Sequence, residues 1–389
     1  MKAKVSIVLQ GVVLAGGVRV ALQLAEGLGR HFDVKVLTSG ISSVAEKALT
    51  TKYKVTVEKS PLPSWSTALS PAVYLLKKLA HREVDVSFDL LSWLVSKVTG
   101  YPLNAGEALR RLIRSDVAVA TWFPTAIPVL QSDARPMILM QDFPEQVEES
   151  MGRPGLRLFR TVLRAPLSFL SISSYTTELI RSENPSARIY YIGNGIDSEA
   201  FYPRKVDKGS EPTVSAILRR PNYKNPDIAV QALNMAYRRV KFRVLLVSEF
   251  SEGELRSRFR PEFPYVYYRQ GLTDEELARI YSSSDVFLFT SRAEGFGLPP
   301  LEAMACGAAV VSTDAKGNRD YLVNGYNALV AKTHDPAELA DLLVEALTNG
   351  ELRQSLVAGG LETAKKWDFR NVVERAREAI ERELQEAEP

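Results

Sequence analysis

Two glutamates eight positions apart, Glu294 and Glu302, bracket the run EGFGLPPLE directly after the apolar stretch 286–289. An apolar strand that ends in glycines and re-enters a helix exposes backbone N–H groups at the helix start, an arrangement suited to a diphosphate. Parallel α/β sheets place ligands at that end of their strands. Glu294 in the loop can hydrogen-bond a sugar hydroxyl. Glu302 at the helix start can accept from both hydroxyls of a ribose. Gly295, Phe296, Gly297 and Leu298 supply the backbone between them. Either glutamate alone reads equally as a surface or capping carboxylate; the whole stretch does not.

Arg219 and Lys224 stand five residues apart after the apolar run 214–218. Two fixed cations at a strand end stabilise the negative charge that develops on a departing diphosphate. A loop with scattered basic residues is the other reading. Near the amino end, LQGVVLAGGVRVALQLAEGL sets Gly11, Gly16 and Gly17 between a strand and a helix whose Val18, Ala21, Leu22, Ala25 and Leu28 share one face. Glycines there let a phosphate approach the helix N-terminus. The spacing is not GxGxxG, so a tight turn with a packing glycine remains open.

These residues need elements to position them. Short runs rich in Val, Ile and Leu recur at 5–9, 34–37, 117–121, 137–140, 169–173 and 189–192. They recur again at 214–218, 242–247, 266–268, 286–289, 309–312 and 328–330. Apolar runs without polar alternation suit strands covered on both faces. Two successive βα series predict an α/β protein of two doubly wound, Rossmann-like domains. The expected division is 1–195, with an insertion around 60–115 marked by Pro61, Pro63, Pro71 and Pro102, then 196–370, then a helix over 371–389 returning to the first domain. The polar stretch 195–212 reads as the linker.

The chain has 389 residues and a formal net charge of +3. Residues 1–185 hold 22 Lys/Arg against 16 Asp/Glu, and the remainder 27 against 30. A basic first half points to an anionic partner, or to scatter in surface charge. The single cysteine, Cys306, excludes an internal disulfide. No stretch reaches the ~20 apolar residues of a membrane span, and MKAKVSIVLQ lacks the length of a signal peptide. A cytoplasmic protein is expected. In 151–170, Arg157, Arg160 and Arg164 flank a stripe of Leu156, Phe159 and Leu163. Such a helix can rest on anionic headgroups, with Lys77, Lys78, Arg110 and Arg111 adding basic sites. An ordinary domain helix has the same pattern.

Taken together, these motifs resemble glycosyltransferase family 4. EGFGLPPLE resembles its E-x7-E signature and Arg219 to Lys224 its R-x4-K pair. Asn194-Gly195-Ile196-Asp197 resembles its N-G-[VI]-D segment, and Gly16-Gly17 its first glycine loop. The resemblance covers nearly the whole chain and is strongest from about residue 190 to 335. It implies a GT-B fold, with two domains facing across a cleft. It also implies a nucleoside-diphosphate sugar donor, retention at the anomeric carbon, and neither metal nor cofactor. By the family's pattern Glu294 holds the donor sugar, Glu302 the ribose, and Arg219 and Lys224 the diphosphate. Asn194 and the N–H groups around 296–298 and at Gly16 and Gly17 assist. The expected acceptor is a glycan, a lipid-linked molecule or another glycoconjugate, with no nucleic acid among the expected partners and the inner face of a membrane as one place where the protein could act.

One departure matters. Many members carry a histidine at the end of a first-domain strand, where this chain has Gln141 followed by Asp142. The histidines are His31, His81 and His334. A glutamine binds hydroxyls but shuttles no proton. The QD pair, together with WFPTA at 122–126 beginning with Trp122, resembles rhamnosyltransferase-like members and a deoxy sugar donor. Two other classes remain open on this fold. One is a non-transferase nucleotide-sugar enzyme, and the other is a silent nucleotide-sugar-binding protein.

Overall fold

The computed structural model describes residues 2–10, 16–39, 53–59, 105–206 and 209–386. Gly11, Lys77, Lys78, His81 and the 60–104 part of the expected insertion lie outside the described residues. The chain divides into two compact units. The first comprises Met1–Ser171, Thr177–Ile192 and Val373–Pro389; the second comprises Ile172–Thr176 and Gly193–Val372.

The first unit is built on β1 (Lys4–Leu9), β2 (Asp33–Thr38), β3 (Thr56–Lys59), β4 (Val117–Ala120), β5 (Arg135–Met140), β6 (Ser168–Ser171) and β7 (Arg188–Tyr191). They form one sheet in the order β3-β2-β1-β4-β5-β6-β7, and every neighbouring pair is parallel. The inner strands are buried toward their carboxyl ends, and VAVA in β4 is buried along its whole length. The edge strands read differently: β3 is TVEK and β7 is RIYY, each half-exposed. Edges tolerate charge because only one side is paired, and for that reason β3 escapes a search for apolar runs.

The second unit repeats the scheme with β8 (Thr213–Leu218), β9 (Arg243–Ser248), β10 (Tyr265–Arg269), β11 (Val286–Phe289), β12 (Ala309–Thr313) and β13 (Leu329–Ala331). The order is β10-β9-β8-β11-β12-β13, again all parallel. In each sheet the order reverses beside the first strand of the unit, at β1/β4 and at β8/β11. Such switch points open a crevice beyond the carboxyl ends of the strands. Val214, Phe242, Leu246, Val286, Val311 and Leu343 belong to the core that fixes the second sheet.

The last helix, Phe369–Gln385, begins in the second unit and runs in the first. Its Glu383 gathers Ser168 Oγ at 2.5 Å, Tyr190 Oη at 2.9 Å and Arg188 Nη1 at 3.3 Å. Its Val373 lies so close to the helix Gly16–Leu28 that a Cβ on Gly27 would stand 2.5 Å from Val373 Cγ2. Only glycine allows that approach.

The helix expected over 151–170 is placed differently. It runs Pro144–Leu163 with a break at Gly152, whose φ is 64°, ahead of Pro154, and the chain then enters β6. Phe159 and Leu163 are buried in the first unit's core. Arg160 and Arg164 hold Glu183 at 3.4 and 2.6 Å. Phe159 and Leu163 are therefore packed inside the unit and are not available to lipid, with Leu156 partly buried against the same core. Among the described residues, no helix is long and apolar enough to cross a membrane.

Candidate functional site

The second unit assembles its motif residues at the carboxyl ends of β8 and β11. The residues after β8 turn through Asn225, whose φ is 51°, into the helix Pro226–Arg239. Four contacts sew this turn to the end of β11. Asn225 Nδ2 donates to the Thr290 carbonyl at 3.0 Å. Thr290 Oγ1 lies 3.2 Å from the carbonyls of both Lys224 and Asn225. The Arg292 N–H reaches the Tyr223 carbonyl at 2.7 Å.

This stitching carries Lys224 to Glu294 across seventy residues of chain. The ammonium bonds both carboxylate oxygens, at 2.7 and 2.8 Å. The side chains are 24% and 10% exposed. Charge-assisted bonds out of bulk water are the strong kind.

The loop after Glu294 is held from three directions. Its backbone pairs with Lys316, and the Glu294 N–H donates to Ala315 at 2.9 Å. Gly297 has φ +83°, a left-handed conformation that disfavours other residues. The buried Tyr321 hydroxyl donates to the Gly297 carbonyl. The Tyr321 ring lies 5.2 Å from that of Phe296, and Phe296 lies 5.3 Å from Trp367. Burial, with the Glu294 and Glu302 carboxylates adding to it, pushes the Tyr321 phenol well above its ordinary range. It is therefore a permanent donor to that carbonyl. Pro299 and Pro300 then open the helix Leu298–Ala305. Within it Glu302 is buried and accepts from Tyr281 Oη at 3.2 Å. Burial first, and then Glu302, push the Cys306 thiol up to about 12.

Lys316 itself is strained. Its φ and ψ are 64° and −67°, and Gly317 N–H reaches back to the Ala315 carbonyl at 2.7 Å. That is the rare form of γ-turn. Asn318 holds it in place: its Oδ1 accepts from Ala315 N–H at 2.9 Å and its Nδ2 donates to Thr313 O at 3.0 Å. Strain of this kind persists where the surroundings over-determine it.

Arg219 is not brought onto Glu294. Its guanidinium bonds Glu249 at 2.8 Å. Arg220 faces elsewhere, with bonds of 3.1 Å to both oxygens of Glu254 and its guanidinium over the Phe250 ring. Glu249 was not singled out in the sequence; its signal is a carboxylate one residue past β9, beside the cations after β8. Tyr321, Tyr281 and Lys316 were also not singled out. Nothing in their spacing marks them.

Asn194 is buried where the chain passes between the units, its Oδ1 accepting from Gly195 N–H at 2.9 Å. Ile196 exchanges backbone bonds of 2.9 Å with Trp367 and Phe369.

In the first unit, Gln141 follows β5 and meets the first turn of the helix after β1. Its Nε2 donates to Gly17 O at 3.2 Å, and a Cβ on Gly17 would stand 3.3 Å from its Oε1. Around Gly16 nothing lies within 4 Å of a would-be Cβ. Trp122 is half-buried and edge-on to Phe123 at 5.4 Å. His31 sits on the surface 3.6 Å from Glu374.

Asp142 turns inward. It is 3% exposed, and its Oδ2 accepts from Phe123 N–H at 2.9 Å. Burial raises its carboxyl from 3.8 to about 7, and the Phe123 N–H pulls the other way. Between about 4 and 7 the folded state keeps a proton that the unfolded state has lost. Stability therefore falls as pH rises through that window and is level above it. Asp142→Asn retains an acceptor for Phe123 and cannot ionise. Its stability relative to wild type is expected to climb from pH 4 to 7 by about 1–2 kcal/mol, less than the full ~1.4 kcal/mol per pH unit. Urea unfolding across this range measures it, and a constant difference would mean the carboxyl is solvated.

Tyr321→Phe keeps the ring contacts and leaves the Gly297 carbonyl without its donor. Burying an unpaired carbonyl costs about 1–2 kcal/mol, read as an earlier urea midpoint. An unchanged midpoint would show that the hydroxyl does not anchor the loop. Among the described residues there is no group of three or more His, Cys, Asp or Glu able to hold a metal ion.

Comparison with known proteins adds the following. Residues 199–363 match the family model for glycosyl transferases group 1. An uncharacterized glycosyltransferase of Methanocaldococcus jannaschii is 26% identical over 217 residues, which are 54% of this chain and 58% of that protein. The chain thus spans little more than half the length of this curated relative. Sucrose-phosphate synthase from Thermosynechococcus elongatus superposes with a TM-score of 0.77 at 16% identity, covering 99% of this chain and all of that one. Anabaena HepE, solved in complex with UDP and glucose, gives 0.73 at 15% identity over 97% and 99% of the two chains. The fold is the GT-B fold of these neighbours.

Proposed function

We propose that the chain, whose residues 199–363 match the family model for glycosyl transferases group 1, is a retaining, metal-independent glycosyltransferase. It moves a hexose or deoxyhexose from a nucleoside-diphosphate sugar to a glycan or lipid-linked acceptor on the cytoplasmic side. The observation that supports this most is the Lys224–Glu294 pair, set at two strand ends beside the left-handed Gly297. A cation for the diphosphate and a carboxylate for the sugar hydroxyls stand at contact distance, as a phosphate–sugar bond requires.

In this reading the donor divides the pair. The diphosphate takes the Lys224 ammonium, and Glu294 turns to the hydroxyls of the transferred sugar. Arg219 adds positive charge, with Glu249 fixing its direction. Glu302 takes the ribose. The acceptor hydroxyl attacks on the face the nucleotide leaves, and its proton goes to the departing phosphate. No protein base is then required, which agrees with Gln141 standing where a histidine would. The charge developing on the phosphate is what the fixed cations stabilise.

The test is thermal unfolding with EDTA present, against UDP, GDP, dTDP, ADP and their sugar conjugates. A ligand at a hundred times its Kd stabilises the folded state by about 2.7 kcal/mol. One nucleotide is expected to raise the melting temperature with concentration. A flat response to all of them would count against the donor site. Retention is read separately from the anomeric configuration of the product by NMR.

A further inference from the structure

The basic excess of the first half has no part in the donor chemistry, and it has a local focus. At the amino-terminal ends of β1 and β2, beside Glu58 of β3, the first unit has a cavity of about 460 Å³ that is open to solvent. Its walls carry four cations, Lys4, Lys35, Arg111 and Arg114, against two carboxylates, Asp33 and Glu58. A cavity of this size accommodates a small phosphorylated molecule.

The sheet face beneath it breaks its own pattern. Val8 and Leu37 belong to the hydrophobic core of this unit. Two residues earlier on the same strands, and so on the same face, stand Ser6 and Lys35, which are register partners. Sheets covered by helices carry apolar residues at such places. Ser6 is only 3% exposed. The roof comes from the helix Ala105–Leu112 and the turn after it, which supply Arg111, Leu112, Arg114 and Ser115. The Ser115 hydroxyl is buried without a hydrogen-bond partner. A buried hydroxyl of this kind costs stability unless something completes it. Lys35 pairs with Glu58 at 3.3 Å, with side chains 52% and 41% exposed. A pair so open to water is weak and exchanges readily for a better anion.

We propose that this cavity binds a small phosphate-bearing anion. Arg111 and Arg114 offer forked donors suited to phosphate oxygens. Lys4 and Lys35 add point charges. The site lies at the opposite end of the strands from Gly17 and Gln141, so its occupant is distinct from a donor or acceptor sugar. The phosphate belongs either to a soluble molecule or to a lipid headgroup.

The experiment uses the full chain with inorganic diphosphate as the soluble probe, followed by calorimetry. Phosphatidylcholine vesicles with and without phosphatidate serve as the lipid probe, followed by co-sedimentation. Each is run on wild type, on Lys35→Gln/Arg114→Gln and on Lys224→Ala. Diphosphate binding that survives in Lys224→Ala and weakens at least ~10-fold in the double variant supports a soluble ligand. Phosphatidate-dependent sedimentation lost only in the double variant supports a headgroup. Asp33→Asn/Glu58→Gln, which removes the competing carboxylates, is expected to tighten whichever binding is found. It guards against mistaking misfolding of the double variant for loss of the site. Binding that depends on Lys224 alone, or no binding of either probe, overturns the proposal.

Discussion

Alanine in place of Lys224 or of Glu294 is expected to lower turnover by at least ~10²-fold while the fold is kept. A hundredfold corresponds to ~2.7 kcal/mol of lost transition-state stabilisation, the range seen when one preorganised electrostatic partner is removed. Each substitution also strands the other charge. Glu294 is 10% exposed, so Lys224→Ala leaves a nearly buried carboxylate beside the position proposed for the diphosphate. The carboxylate then repels the ligand its partner was meant to hold. Glu294→Ala leaves the ammonium free for the phosphate and removes the grip on the sugar. The two variants should therefore separate by ligand. Lys224→Ala weakens binding of the free nucleoside diphosphate. Glu294→Ala leaves that binding intact or tighter and weakens the extra affinity of the sugar conjugate. The double variant should lose less than the sum of the singles, because the pair acts as a unit. Steady-state rates, calorimetry with nucleotide and nucleotide-sugar, and circular dichroism for the fold provide these readings. Near-normal turnover in both single variants would remove Lys224 and Glu294 from the site.

Strands such as β4, β8, β11 and β12 were legible because they are buried on both faces. A run such as VFLF at β11 admits little else once glycines follow it. β3 was not legible, since this edge strand, TVEK, holds one apolar residue and two adjacent charges. The Lys224–Glu294 meeting was legible only as two separate motifs. What joins them is Thr290 and Asn225, two polar residues with no signature spacing. Residues 151–170 left two readings open for a physical reason: an amphipathic stripe is the same whether it faces a core or a lipid surface. Phe159 and Leu163 face the core. Asp142, by contrast, misled. It follows Gln141 at a strand end, where ligands are expected, yet its carboxyl turns inward to Phe123. Alternation along an extended backbone sends neighbours to opposite sides, so only one of the pair can face the crevice.

Gly317→Ala is expected to cost about 3 kcal/mol and to take turnover with it. A Cβ at Gly317 would stand 2.4 Å from the Gly295 carbonyl oxygen and 2.5 Å from that of Glu294. Both are backbone atoms and cannot rotate away as a side-chain tip would. Gly317 is not among the residues of positive φ, so alanine meets no conformational penalty there and the effect is purely steric. Relief requires moving the 294–295 backbone, or the strained turn at Lys316, by roughly 1 Å to reach ordinary contact. The turn is fixed by Asn318 and the loop by Tyr321, so neither gives cheaply. Overpacking against an unyielding wall costs in the upper part of the usual ~1–3 kcal/mol range. A shift of that size also parts Glu294 from Lys224, and misplacement by ~1 Å at a reacting centre costs on the order of 10²-fold in rate. Gly350→Ala is the control, because nothing lies within 4 Å of its would-be Cβ at the first residue of the helix Gly350–Lys366. There alanine is expected to be neutral or to stabilise by about 0.4–1 kcal/mol through the unfolded chain. Urea unfolding and turnover measured on both variants decide the matter. A Gly317→Ala protein as stable and as active as Gly350→Ala would mean that the loop bearing Glu294 is not braced by this turn. The geometry assigned to the donor site would then lose its support.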